Sequence, residues 1–456
     1  KTLKCAFCVN MAQNMHNWAR LAQDYGTEVK LFPHPSDFTA LNAPEWEEFD
    51  GEHGEYLNAQ DFLNANPNIE LTVPCDRPFF ATGIERSELS IAYEQFKRGK
   101  RNELLRILRE CPSLRHEVLL SYSGYESYFE WAKELSKFDV VYAASQPFAA
   151  YASGRPYCVA PVGGDVQWDA GRADDLGRTM TLSLNAAKFL TVVEPYSLGH
   201  LRRLGLVNGV FCPYPMDDKR YCPAPGEARK EWTSKYGEGI YCLSTSRIDN
   251  AIKGNGTQVL DILLEIVKEH ADVKFIFLSW GNDHEKLRRQ ICDSTFSKQF
   301  IFLKPVGKKR LKDYYRSCDF ILDQFSYGWH GCTLLEAAAV GKPVIMYLNE
   351  EMYAPLYNGD TAPVLNAKQP KEIKDALKSI ITDRCLRREK GKEMRQWLVR
   401  TNGREKSVER MLSILRLTAD NVPLPGDLRN PLSQKLTEEE IQYHKTVHNL
   451  GLQLPE

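Results

Sequence analysis

No stretch of this 456-residue chain is apolar over the roughly 20 residues that a membrane-spanning helix needs. Net charge is almost absent too: 59 Lys and Arg stand against 60 Asp and Glu, a formal charge of −1. Nothing therefore draws the chain as a whole to nucleic acid or to an anionic surface, no nucleic-acid partner is expected, and any electrostatic recognition must be local. Repeats and low-complexity tracts are missing, which argues against a solenoid. Cysteine is sparse, 12 residues scattered among apolar segments, so a disulfide scaffold is excluded and a reducing cytoplasm is the expectation. Cys5 and Cys8 have C-x-x-C spacing but no second pair, and read as buried thiols. The N-terminal KTLKCAFCVN has no small-residue cleavage site and no initiator Met, as in a processed chain. Neither G-x-x-x-x-G-K-[ST] nor G-x-G-x-x-G occurs, which excludes a P-loop and a dinucleotide fingerprint.

What is present is a long alternation of strand-like and helix-like segments. Apolar runs at 3–9, 28–32, 138–144 and 156–162 read as strands, with a helical pattern over 14–26. A second series starts at 240–245 and continues with a helix over 259–270 and strands near 273–281, 300–306, 319–325 and 343–348. Such alternation predicts parallel sheets with crossover helices. The length predicts two domains, and the Pro-rich CPYPMDDKRYCPAPGEA (212–228) lies between the two series as a linker. The expected boundaries are 1–215, 216–415 and a C-terminal segment, 416–456, that crosses back toward the first domain.

Two loops of the second series carry chemistry. After the strand 240–245 comes SRIDNAIKGNG, with Arg247 and Lys253 six residues apart. After the strand near 319–323 comes DQFSYGWHGCTLLE, whose glycines Gly328 and Gly331 would let backbone amides approach a ligand. The helix beginning near Cys332 and Thr333 aims its positive end at the same place. Glu336, about one turn in, is expected to hold a ribose diol with both carboxylate oxygens, as an acidic residue does in dinucleotide folds. The bland alternative is that Glu336 only complements the helix N-terminus while the two cations stand in solvent. Gly331 is expected in a positive-φ conformation that a β-branched residue would not tolerate.

These motifs resemble retaining glycosyltransferases of the GT-B fold, in the large family numbered four. The resemblance is carried by Ser244-Thr245-Ser246-Arg247 with Lys253-Gly254, by LKDYYRSCDFIL, by GCTLLEAAAVGKPVI, and by LRRLGLVNGVFCPYPMDDKRYCP with Asp217 in its turn. It is spread over residues 160 to 415. It implies two Rossmann-like doubly wound α/β domains facing a cleft, and transfer of a sugar from a nucleotide-sugar, UDP or GDP type, with retention of configuration. Arg247 and Lys253 would bind the donor diphosphate and Glu336 the ribose. The turn Gly163-Gly164-Asp165 would face the donor sugar or the acceptor; alternatively Asp165 caps backbone amides. No cofactor and no metal are expected, since the cations would neutralise the leaving group, and no Asp-x-Asp motif occurs. The chain departs from the family where a second glutamate, eight residues before Glu336, is replaced by Gly328. Gln324 and His330 are then the candidates to touch the transferred sugar.

Asn10, Asn14 and His16, in the first βα turn, are candidates for the acceptor side. The acceptor is undetermined: a glycan, a lipid-linked group or a small molecule. The basic amphipathic segment 96–116 reads as a surface helix, or as a contact with the inner face of a membrane. Competing functional readings are a sugar-nucleotide epimerase of the same fold and a non-catalytic binder. A Thr437–Glu440 capping box is expected in the last segment.

Overall fold

A computed structural model describes residues 2–33, 39–52, 59–77, 88–100, 102–110, 112–115, 126–145 and 147–423. It divides into two compact units. The first comprises Lys1–Pro44, Leu71–Pro213 and the chain from Val408; the second comprises Glu45–Glu70 and Tyr214–Ser407.

The first unit is built on strands β1 (Lys4–Cys8), β2 (Glu28–Phe32), β3 (Val140–Ala144), β4 (Tyr157–Ala160), β5 (Phe189–Val192) and β6 (Gly209–Phe211). They form one parallel sheet in the order β2-β1-β3-β4-β5-β6. The second unit holds β7 (Ile240–Ser244), β8 (Val273–Leu278), β9 (Phe300–Leu303), β10 (Phe320–Leu322), β11 (Val344–Met346) and β12 (Leu365–Asn366). These are also parallel, in the order β12-β11-β10-β7-β8-β9. A parallel sheet is covered on both faces, so its strands are apolar without alternation; β3 and β8 are buried at every position.

The helices that position functional side chains are α1 (Asn14–Asp24), α2 (Asn102–Arg109), α3 (Gly164–Gln167), α4 (Thr257–Glu269), α5 (Lys308–Ser317), α6 (Cys332–Ala339), α7 (Arg384–Thr401) and α8 (Arg404–Ala419). In α4 the apolar residues Val259, Leu260, Leu263, Ile266 and Val267 recur at helical spacing and enter the core of the second unit with Phe275, Phe277 and Leu322.

In α2, Leu104 and Ile107 are buried, while Arg106 is clamped by Glu103 and Glu110 at 2.7 and 2.5 Å. Its buried Leu104 and Ile107 side chains thus face the protein and its ion pairs face outward. No helix among the described residues is long and apolar enough to cross a membrane. Cys5 and Cys8 are free buried thiols on β1, with burial pushing both pKa values up. The expected Thr437 cap lies outside the described residues.

Strand order decides where a ligand can sit. In the second sheet the winding reverses between β7 and β10, and in such sheets the crevice lies outside the carboxyl ends of the strands at that reversal. The loops that leave β7 and β10 are those carrying Arg247–Lys253 and Asp323–Gly331. In the first sheet the reversal lies between β1 and β3.

Candidate functional site

At the β7–β10 reversal the two loops are tied together by side chains. Ser246 Oγ donates to Asp323 Oδ1 at 2.5 Å and lies 3.1 Å from Thr333 Oγ1. Thr245 Oγ1 lies 3.3 Å from Thr333 Oγ1 and 2.7 Å from the Tyr315 hydroxyl of α5. The amide of Phe325 donates to the carbonyl of Lys253 at 2.8 Å. Asp323 is buried, and burial pushes its pKa up; the charge of Lys253 and the Ser246 hydroxyl oppose that rise. The charge of Lys253 thus acts on a buried carboxyl group. Arg247 is more open, its side chain 43% exposed and 3.9 Å from Asp249.

Glu336 lies in the second turn of α6 and is buried. Of the two carboxylate oxygens expected to serve a ligand, Oε1 already accepts from Lys308 Nζ. Burial disfavours the Lys308 ammonium, but Glu336, Cys332 and Glu47 outweigh it and hold its pKa above the usual lysine range. Cys332, at the first position of α6, has its thiol pushed up to about 11 by burial. Lys308 and Tyr315 were missed in the sequence reading. One signal was available: Lys308, Lys309 and Arg310 open α5, where cations oppose the helix dipole. A basic triplet at that position calls for a nearby anion.

Gly328 and Gly331 do different work. Gly328 has φ +73°, and a Cβ there would meet Tyr347 Cε1 at 2.7 Å and the amide nitrogen of Asn349 at 2.8 Å. Gly331 has φ −125° and open space where a Cβ would go. The positive φ expected at Gly331 is thus found at Gly328. Between them, His330 stacks on Tyr353 with ring centroids 4.4 Å apart and meets the edge of Trp397 at 6.0 Å. Its amide donates to the Tyr353 hydroxyl at 2.9 Å. His330 Nε2 and Gln324 Oε1 are both buried without a hydrogen-bond partner. Orphan buried polar atoms are uncommon and concentrate where a ligand or water completes the set.

Burial pushes the His330 imidazole down to about 4. With an unfolded value near 6.5, the native state binds fewer protons between pH 6.5 and 4. Its contribution to stability is complete above pH 6.5 and is lost as pH falls toward 4. From pH 6.5 to 5 wild type loses roughly 1.5 kcal/mol more unfolding free energy than His330→Gln. Urea unfolding of both proteins at the two pH values checks this. Parallel losses would show that the ring is already protonated in the native state.

In the first unit, Asp165 lies in the short α3 and accepts from the amides of Gly163 at 2.9 Å, Val166 at 3.0 Å and Val162 at 3.2 Å. This is the capping alternative. Burial raises its pKa to about 6. Gly163 has φ +120°, and a Cβ there would lie 2.4 Å from the Tyr196 hydroxyl; Gly164 packs against Trp168. Asn10 and His16 are fully buried. Asn10 Nδ2 donates to the Asn42 carbonyl at 2.7 Å, and its Oδ1 accepts from the His16 amide at 2.9 Å. Both are core residues that fix the β1–α1 turn, and only the half-buried Asn14 of that trio has surface to offer.

Residues 235–397 match the family described as glycosyl transferases group 1. Alpha-monoglucosyldiacylglycerol synthase of Streptococcus pneumoniae (strain ATCC BAA-255 / R6) is 30% identical over 145 residues, 29% of this chain and 32% of that protein. The match thus spans about a third of that relative. Anabaena Alr3699/HepE, solved in complex with UDP, superimposes with a TM-score of 0.60 at 12% identity, covering 91% of this chain and 100% of that one. Sucrose-phosphate synthase from Thermosynechococcus elongatus gives 0.57 at 14% identity, covering 92% and 100%. At such identities the likeness is one of fold: two Rossmann-like units, the GT-B arrangement of chain.

Proposed function

We propose that the chain is a glycosyltransferase that moves a sugar from a nucleoside-diphosphate sugar, of UDP or GDP type, to an acceptor. On this reading configuration is retained and no metal ion takes part. The observation that carries the proposal is the knit at the β7–β10 reversal: the loop bearing Arg247 and Lys253 is tied through Thr245, Ser246 and the Lys253 carbonyl to Asp323, Phe325 and Thr333, at the start of the helix that holds the buried Glu336. The group 1 match over the same residues and the UDP held by a structural neighbour support it; retention rests on the family resemblance alone.

Each group has a role that follows from its chemistry. Arg247 and Lys253 oppose the negative charge that builds on the diphosphate as the glycosidic bond breaks. The amides at the start of α6 do the same without having to reorganise. The free oxygen of Glu336 accepts from a ribose hydroxyl. Gln324 and the neutral His330 offer unpaired polar atoms to hydroxyls of the transferred sugar. Asp165 is placed by the resemblance alone near the donor sugar or acceptor.

A melting-temperature screen against UDP, GDP, ADP and dTDP identifies the base, since a ligand that binds only the folded state raises its stability. Glu336→Gln keeps the shape and loses the charge, and weakens nucleotide binding by about 1.5–3 kcal/mol, the range of a hydrogen bond to a charged group. Slow sugar release to water from the bound donor separates a transferase from a mere binder. A protein that melts unchanged with all four nucleotides would end this reading.

A further inference from the structure

The Lys308–Glu336 pair is costly where it stands. Both side chains are largely buried, at 17% and 7% exposure, and each desolvated ion needs the other to offset its burial. Lys308 is also the first residue of α5, where a positive charge opposes the helix dipole. A well-packed apolar pair would fill the same space at less local cost. What the lysine adds is geometry: Nζ engages Oε1 of Glu336 and so fixes the carboxylate by one oxygen.

The lysine is itself held from a distant part of the chain. Residues 45–52 fold onto the second unit. The carbonyl of Gly51 accepts from the Gly307 amide at 3.0 Å, that of Phe49 accepts from the Lys309 amide at 3.3 Å, and Glu52 bridges Val306 antiparallel. Gly307, the residue before Lys308, lies so close that a Cβ would stand 2.2 Å from the Phe49 carbonyl oxygen. Glu47 is buried in the same segment; Tyr221 donates to its Oε1 at 3.4 Å, and its Oε2 has no hydrogen-bond partner. Its negative charge acts on Lys308 along with that of Glu336.

We propose that Lys308 is a positioning residue of the donor site: held by the 45–52 segment, it fixes Glu336 with one oxygen left for a ribose hydroxyl. This rests on the reading of Glu336 as the ribose ligand. Lys308 then governs how strongly the site distinguishes a nucleotide with its vicinal diol from one without, and leaves the diphosphate contacts of Arg247 and Lys253 unchanged.

The test is calorimetric titration of UDP and 2′,3′-dideoxy-UDP, or the guanosine pair if GDP is the better ligand, against wild type, Lys308→Met and Lys308→Arg. Wild type prefers the diol by about tenfold or more, the worth of one hydrogen bond to a charged group. Lys308→Met binds the dideoxy nucleotide as wild type does but loses most of the preference, and Lys308→Arg keeps most of it. A wild-type ratio near one overturns the ribose reading itself, and the role of Lys308 falls with it. A wild type that prefers the diol beside a Lys308→Met that prefers it equally overturns only the positioning role. So does an equal loss of affinity for both nucleotides, which marks a purely structural lysine. If Lys308→Met does not fold, Lys308→Gln keeps a polar donor beside Glu336 and carries the same comparison, with an intermediate preference expected.

Discussion

Lys253→Ala and Arg247→Ala each lower kcat/KM on the order of 100-fold, measured as nucleoside diphosphate released from the sugar nucleotide, because each removes charge that matters most as the diphosphate departs. Their effects on folding differ, and the structure says which way. Arg247 is half exposed and 3.9 Å from its nearest carboxylate, so its loss changes unfolding free energy by less than about 0.5 kcal/mol. Lys253 is the charge that opposes the rise in the pKa of buried Asp323. Without it, Asp323 keeps only the Ser246 hydroxyl. Lys253→Ala therefore lowers stability as well wherever Asp323 is ionised, by removing a favourable charge rather than a hydrogen bond. That cost grows with pH from the acid side, since the orphaned carboxyl is tolerated when protonated and penalised when ionised. Unfolding curves of both variants at pH 5 and pH 8 check it. An Arg247 variant with full activity would place the diphosphate elsewhere.

Most strands were readable as apolar runs. β1, β2, β3, β7 and β8 fall inside the runs at 3–9, 28–32, 138–144, 240–245 and 273–281. β4, β9, β10 and β11, no longer than β5 and β6, also fall inside apolar runs, at 156–162, 300–306, 319–325 and 343–348; β5 and β6 are the ones the pattern does not mark. Sheet order has no local signature, and with it goes the site's position. Only the reversal between β7 and β10 explains why SRIDNAIKG and DQFSYGWHG, some seventy residues apart, meet. Glu336 was conspicuous as the one carboxylate in an apolar helix. Lys308, its partner, was hidden in a basic run that looks like surface. Asn10 and His16 show the converse: polar residues in a βα turn look like ligand groups, but both are buried, and the Asn42 carbonyl that accepts from Asn10 cannot be foreseen from the turn itself. The attachment of 45–52 to the second unit is likewise a pairing across more than 250 residues, beyond any periodicity.

The two glycines that frame His330 provide the sharpest separation between fold and ligand. Gly328→Ala forces a Cβ to within 2.7 Å of Tyr347 Cε1 and 2.8 Å of the Asn349 nitrogen, at φ +73°. Tyr347 could swing aside; the Asn349 amide cannot, because it already donates to the Gly328 carbonyl at 2.9 Å. Overpacking and a left-handed alanine each cost on the order of 1–3 kcal/mol, so the variant loses about 3 kcal/mol or more of unfolding free energy. The loss spreads to the stacked His330–Tyr353 pair that this turn presents. Gly331→Ala meets open space at an ordinary φ and changes stability by less than about 0.5 kcal/mol. If a diphosphate lies against the start of α6, however, that empty space is where it lies, and Gly331→Ala weakens nucleotide binding while the protein melts as wild type does. Gly331→Val then weakens binding further, by bulk and not by backbone strain. Melting curves and UDP titrations of the three variants decide it. A Gly331→Val protein that binds nucleotide normally would move the phosphates away from this helix, and a Gly328→Ala protein of wild-type stability would show that the turn can open to admit a side chain.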